Sequence, residues 1–247
     1  MKASTVALLV IGQELLNGKV ADVNTVYAAR RLHEIGAKLG TVVIVPDDVD
    51  IIAQAVKDLA KKHDYLITSG GIGPTHDDVT VAGIAKALGQ EVIRHSYLKT
   101  FVGRMHKTTD LSAAQLRLAE VPEKAELLVG GEDDKPQAFV ENIYFLPGIP
   151  EFFKESFEKI AHIFQGEPAK SAKIKVKALE TVFTATLNRA VKLCPDVEFG
   201  SYPQVVPGDS GTFAVDITME AQSQESVEKA KQFLLQNLPE VVEIMES

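Results

Sequence analysis

The sequence predicts an α/β fold: a three-layer α/β/α domain with a mostly parallel sheet, followed by a small α+β unit. Three observations lead there. Short, continuous apolar runs alternate with helix-period segments through the first part of the chain, as strands buried on both faces and their covering helices should. The rhythm changes after Gln165-Gly166-Glu167-Pro168, the best linker, to strand–helix–strand–strand–helix–strand. That order is the split-βαβ, ferredoxin-like unit. Finally, the glycine turn Gly70-Gly71-Ile72-Gly73 lies directly between an apolar run and a helical pattern, a junction where backbone N–H groups can meet an anion.

Taken in order, residues 6–11 form the first buried strand. Residues 24–35 repeat apolar positions at three and four, with Gly36 as the stop. A strand over 38–45 turns at Pro46-Asp47-Asp48 into a helix over 50–63, with Ile51, Ile52, Ala55, Val56 and Leu59 on one face. Residues 65–68 are the third strand and 80–88 the next helix. The stretch 97–118 reads as helical but more polar and weakly patterned. Residues 127–129 form a short strand, 130–137 an acid-rich polar loop, and 138–146 a strand pair around Glu141-Asn142. A turn at Pro147-Gly148-Ile149-Pro150 opens a helix over 151–164. The division expected is residues 1–166 and 167–247. In the second part, strands are expected over 173–179, 197–202, 212–219 and 241–245, and helices over 184–193 and 223–238. Asp209-Ser210-Gly211 is a hairpin-turn candidate.

Composition narrows the function classes. The 247 residues are 45% hydrophobic and 24% charged, ordinary for a soluble globular protein. A net charge of −8 gives nucleic acid or an anionic membrane no overall electrostatic support. The one cysteine, Cys194, cannot form an intrachain disulfide or a cysteine metal cluster. No apolar stretch approaches the roughly 20 residues of a membrane span. A soluble, cytoplasmic protein is the expectation.

Four clusters carry chemistry: Gly12–Gly18 after the first strand, Asp22-Val23-Asn24 at the first helix, the glycine turn through Thr80, and Leu146–Pro150. In an open α/β sheet, ligands bind outside the carboxyl ends of the strands, so the first, third and fourth clusters, which follow strands, are expected to converge on one crevice. The turn fits neither the dinucleotide nor the Walker pattern. Gly70, Gly71 and Gly73 let the backbone approach a phosphate, or simply relieve strain at a helix entry. Thr75 and Thr80 add hydroxyl donors. Asp77 and Asp78 either hold a hard divalent cation bridging phosphate oxygens or cap the following helix. Glu14 is a metal-site helper or a surface glutamate. Asp22 and Asn24 are ligand contacts or cap residues, with Asn24 the cap itself. His76 is a proton carrier or a polar loop contact.

These stretches resemble the MoaB/Mog-like molybdopterin-binding domain family, in its CinA branch. They are also similar to the molybdopterin-binding-like domain of eukaryotic FAD synthases. The likeness rests on Gly12-Gln13-Glu14-Leu15-Leu16-Asn17-Gly18, Asp22-Val23-Asn24-Thr25, the run from Gly70 to Thr80, and Tyr144-Phe145-Leu146-Pro147-Gly148-Ile149-Pro150. Gly200-Ser201-Tyr202-Pro203 extends it into the small unit. The resemblance implies a divalent-metal-dependent hydrolase of a nucleotide pyrophosphate, FAD or ADP-ribose, releasing AMP. The metal is expected to be Mg, Mn or Co. The alternative is a non-hydrolytic molybdopterin or nucleotide-binding module. It further implies catalytic roles for Asp78, Asp77 and Glu14, with Asp77 and Asp78 on the metal. Ligand contacts are implied for Gly70, Gly71, Gly73, Thr75, Thr80, Asp22, Asn24 and Gly148. A homo-oligomer, dimer or trimer, is the expected assembly. Gln13 departs from the Asp, Thr or Asn common there. Neither the amidase activity of CinA proteins nor an adenylyltransferase activity is expected of these residues.

Overall fold

The computed structural model describes residues 3–130, 135–164, 166–205 and 213–245. The chain divides into two compact units, Met1–Glu167 and Pro168–Ser247.

The first unit is built on β1 (Thr5–Ile11), which is buried along nearly its whole length. A short helix α1 (Gln13–Leu16) and α2 (Val23–Glu34) follow, then β2 (Lys38–Val45), α3 (Val49–Lys62), β3 (Tyr65–Ser69) and α4 (Thr80–Leu88). Next come β4 (Val92–Arg94), α5 (Ser96–His106), α6 (Ala113–Arg117), β5 (Glu120–Pro122), β6 (Glu126–Leu128), β7 (Gln137–Val140), β8 (Ile143–Leu146) and α7 (Pro150–Ile160). The six-stranded sheet has the order β2-β1-β3-β8-β7-β6; its first four strands run parallel, β7 runs against them, and β6 pairs antiparallel with β7.

Alternation along β1 divides the core between the two faces. Val6, Leu8 and Val10 pack with Ala28, Leu32, Phe153 and Phe157 of α2 and α7. Ala7, Leu9 and Ile11 pack with Ile52, Val56 and Leu59 of α3 and Ile84 of α4. The chain moves from β1 to β2 on one side, then returns to place β3 on the other. That reversal is a topological switch point, and the crevice opens beyond the carboxyl ends of β1 and β3.

The second unit contains β9 (Lys170–Lys177), α8 (Glu180–Leu193), β10 (Glu198–Val205), β11 (Phe213–Ala221), α9 (Gln224–Asn237) and β12 (Glu243–Met245). Its antiparallel sheet has the order β10-β11-β9-β12, the strand arrangement of the split-βαβ unit. Val215, Ile217 and Met219 alternate into its core beneath α8 and α9. The hairpin turn expected at Asp209-Ser210-Gly211 lies outside the described residues.

Several sequence expectations are corrected. The stretch read as one helix over 97–118 is two helices. α5 ends at Lys107, whose left-handed φ of 53° cannot continue a right-handed helix. α6 begins at a capping box in which Ser112 and Gln115 satisfy each other's backbone amides. The β4–β5 antiparallel pair and the short α1 were not foreseen. The final helix of the first unit stops at Ile160, and a 3₁₀ turn, Ala161–Ile163, completes it.

Candidate functional site

The loops after β1, β3 and β8 meet at the switch point, and three glycines permit it. Gly70 has φ +100°, and a Cβ there would lie 2.4 Å from the Ile11 carbonyl oxygen. A Cβ at Gly148 would lie 3.2 Å from the Cα of Gly70. Gly71 has φ +67°, and its missing side chain leaves room for the Thr80 hydroxyl. Thr80 is fully buried; its Oγ1 donates to the Gly70 carbonyl at 2.8 Å and its N–H to the Gly71 carbonyl at 3.0 Å. Thr80 is therefore the latch beneath the turn.

Asn24 is not the cap of α2. Asp22 is: its carboxylate accepts from the Thr25 N–H at 3.0 Å and also from the Thr25 hydroxyl. Asn24 sits one position inside the helix, only 6% exposed. Its Nδ2 donates to Ser69 Oγ at 3.0 Å and to the Gly148 carbonyl at 2.8 Å. One side chain thus ties α2 to the ends of β3 and β8. Because the Gly148 carbonyl can only accept, the amide's orientation is fixed, and Oδ1 is left buried without a partner.

Two carboxylates occupy space that glycines vacate. The Glu14 carboxylate curls over Gly12, 2.5 Å from where a Cβ would stand. The Asp78 carboxylate lies over Gly73 in the same way, at 2.6 Å. Asp78 Oδ2 accepts from the Thr75 N–H at 2.8 Å. The Thr75 hydroxyl lies 2.5 Å from both Asp77 Oδ1 and Asp78 Oδ2, bridging the two acids. Its hydrogen bond, with a further one from backbone, holds the Asp77 carboxyl below the usual carboxylate range. Neither aspartate caps α4, whose N-cap residue Val79 makes no side-chain cap bond. Arg117 of α6, unmarked by any local sequence signal, donates from Nη2 to the Asp78 carbonyl at 2.8 Å. His76 is almost wholly exposed, its ring 3.8 Å from Asp77.

A cavity of about 950 Å³ joins these features. Nine of the expected site residues line it: Glu14, Asp22, Asn24, Gly70, Gly71, Gly73, Asp77, Asp78 and Gly148. Thr75 and Thr80 do not: Thr80 is buried beneath the turn, and Thr75 is exposed. Among the described residues the wall carries seven carboxylates, Asp47, Glu120 and Glu155 being the others, against one cationic side chain, Lys135. Asp47 is fixed by the Gln13 N–H at 2.8 Å. The uncapped first turns of α4 and α7 also open here, presenting the positive ends of two helix dipoles.

Among the described residues no group of three or more His, Cys, Asp or Glu side chains forms a metal cage. The donor set at Asp77 and Asp78 fits a different kind of site. Mg²⁺-like ions commonly take one or two carboxylates and complete their shell with water and substrate phosphates.

The family model described as "Probable molybdopterin binding domain" matches residues 7–166. The chain belongs to this molybdopterin-binding domain family, in its MoaB/Mog and CinA-like group. A second model, "FAD synthase, middle domain", matches residues 168–246. A protein of Archaeoglobus fulgidus is 33% identical over 227 residues, covering 92% of this chain and 95% of its own length. A Caenorhabditis elegans protein named "Probable FAD synthase" is 28% identical over 256 residues, 91% of this chain. The chain spans only 48% of the length of that relative. In fold, the molybdopterin-binding unit is similar to the solved CinA protein of Thermoplasma acidophilum. That likeness has a TM-score of 0.60 and 24% identity, over 66% of this chain and 99% of that one. No helix among the described residues is long and apolar enough to cross a membrane.

Proposed function

We propose that this protein hydrolyses a nucleotide pyrophosphate of the FAD or ADP-ribose type, with a divalent metal, releasing AMP. One observation carries the reading: a glycine turn and an uncapped α4 first turn open into a cavity walled, among the described residues, by seven carboxylates and one lysine. The turn and helix end attract phosphate, while the carboxylates repel it. A phosphate chain complexed to a cation satisfies both. The FAD synthase likeness of the second unit and of the C. elegans relative supports a flavin nucleotide as one substrate.

In this reading Asp77 and Asp78 hold the ion, with Glu14 beside it. Bound Mg²⁺, Mn²⁺ or Co²⁺ supplies charge compensation and lowers the pKa of water. The amides of Gly70 to Gly73 and the start of α4 bind the pyrophosphate. Thr75 orients both carboxylates, and Arg117 fixes the backbone that carries Asp78. The oxygen of water bonds to one phosphorus as its proton passes to bulk solvent, the bridging P–O bond breaks, and charge growing on the leaving oxygen meets those fixed donors. AMP and a second phosphate ester leave. The protein acts as a dimer or trimer, which sedimentation of the purified chain checks.

The test is incubation with FAD or ADP-ribose and each metal in turn, following AMP by chromatography. Metal-dependent AMP, abolished by EDTA, is expected. A second reading, a binding module for a pterin or nucleotide without hydrolysis, has its own observation. The Asp78 carboxylate already takes the Thr75 amide and Asp22 already caps α2, which leaves fewer free oxygens for an ion. Tight ligand binding with no AMP under any metal favours that module.

A further inference from the structure

The glycine turn accounts for only part of the cavity lining. The same cavity is lined by α5, through Leu98, Phe101, Val102 and Met105. Their spacing places them on one helical stripe. Leu98 uses its position for ordinary packing against Ala119 and Val121, and Val102 is buried. Met105 is not used in this way: it is 53% exposed. Phe152, 47% exposed, and Ile149, 55% exposed, line the same cavity from the start of α7. Three large apolar side chains left open within one cavity are unlike apolar residues scattered singly over a surface, and they mark a binding region. Lys135, the one cation among the described cavity-lining residues, stands over the Phe152 ring, its Nζ 4.9 Å from the centroid.

We infer that α5 and the start of α7 form a lobe for the planar heteroaromatic ring of the ligand, with Phe152 and Met105 its main contacts and Lys135 beside its phosphate. The inference rests on the proposed nucleotide chemistry and deepens it. A flat, polarisable ring covers apolar surface at small entropic cost and packs favourably on phenylalanine and methionine sulfur. The lobe is continuous with the glycine turn, so a ring joined to phosphate through a sugar spans both. Burial draws the Lys135 ammonium pKa down, and an arriving phosphate would push it back up. Both purine and flavin rings have this chemistry.

Three monophosphates test the lobe without any bond being cut. Calorimetry with FMN, AMP and ribose 5-phosphate, on the full chain, compares two ring-bearing ligands with a ringless one. At least one ring-bearing ligand is expected to bind about tenfold or more tighter than ribose 5-phosphate. Whichever of FMN and AMP binds tighter identifies the ring. Phe152→Ala and Met105→Ala, both at half-exposed positions that the core does not need, are expected to erase most of that advantage. Equal binding of all three, no binding of any, or an advantage that survives both substitutions overturns the lobe. AMP release from ADP-ribose by the unaltered protein is scored separately. If AMP forms while the ring advantage is missing, the lobe alone is wrong; if no AMP forms, the proposed hydrolysis is wrong whatever the rings do.

Discussion

Gly73→Ala separates site from fold more cleanly than removal of a catalytic group. Gly73 carries no positive φ, so alanine is compatible with its backbone. The obstacle is the Asp78 carboxylate, whose Oδ2 lies 2.6 Å from the new Cβ. An ordinary contact begins at 3.4 Å, so the carboxylate must retreat by about 0.8 Å, and it sits at the end of a flexible side chain that can do so. That retreat strains its bond to the Thr75 amide, now 2.8 Å, and its approach to the Thr75 hydroxyl. A displacement approaching 1 Å at a reacting centre costs on the order of a hundredfold in rate. The lost hydrogen bond is exposed and costs only about 1 kcal/mol of stability. Gly70→Ala is the contrast: its Cβ would meet the backbone oxygen of Ile11 at 2.4 Å, at φ +100°. It should destabilise by about 3 kcal/mol or more. Thermal unfolding and AMP release on both variants check this. Undiminished turnover in Gly73→Ala, or equal destabilisation by both substitutions, would refute the reasoning.

Other outcomes follow from named contacts. In Asn24→Asp the hydroxyl of Ser69 can turn to donate, but the Gly148 carbonyl at 2.8 Å cannot. A buried charge then faces an acceptor, at a cost of about 3 kcal/mol near neutral pH. Burial raises the introduced carboxyl's pKa in the folded state, so the deficit should shrink as pH falls through that raised value and be relieved by about pH 4, the ordinary aspartate value; urea titration at two pH values measures it. Arg117→Ala removes a charge-assisted bond to the Asp78 carbonyl and should cost about 2 kcal/mol and weaken Mn²⁺ binding, read by calorimetry. Tyr27 donates to Glu158 at 2.6 Å, and Arg31 to the same carboxylate at 2.8 Å. Burial, then this bond to Glu158, pushes the Tyr27 hydroxyl up to about 12. Its contribution to stability is complete below the ordinary tyrosine value of about 10 and is lost as pH rises towards 12. Glu158, lowered first by Arg31, contributes above the ordinary glutamate range and loses that contribution on acidification. Tyr27→Phe should flatten the alkaline limb of a stability–pH curve.

The strands were legible because burial on both faces writes itself as continuous apolar runs, as in Val6 to Ile11. The convergence of loops was legible because a parallel sheet dictates where they end. What each polar side chain does there was not. Asp22 and Asn24 both suit a helix cap locally; only the proximity of Ser69 and Gly148, 45 and 124 residues away, decides between them. Thr80 lies in the motif yet faces inward, since the space at Gly71 exists only once the turn is folded. Arg117 and Lys135 had no local mark, because their roles depend on elements distant in sequence. The break after α5 was partly legible. The Ser112-x-x-Gln115 box is a helix-start signature, whereas a left-handed Lys107 is not. The apolar stripe of α5 was in plain view at positions 98, 101, 102 and 105, but its cavity was not.

The central claim is that the acids of the glycine turn hold a cation that serves phosphate cleavage. Its most direct test compares the unaltered protein with Asp78→Asn, which keeps an oxygen for the Thr75 amide while removing the charge. FAD or ADP-ribose is supplied with Mn²⁺, and AMP is followed over time. Metal-dependent AMP from the unaltered protein, with none from an equally stable Asp78→Asn, is the predicted result. AMP formed at the same rate by both, or by neither with any metal, would contradict it.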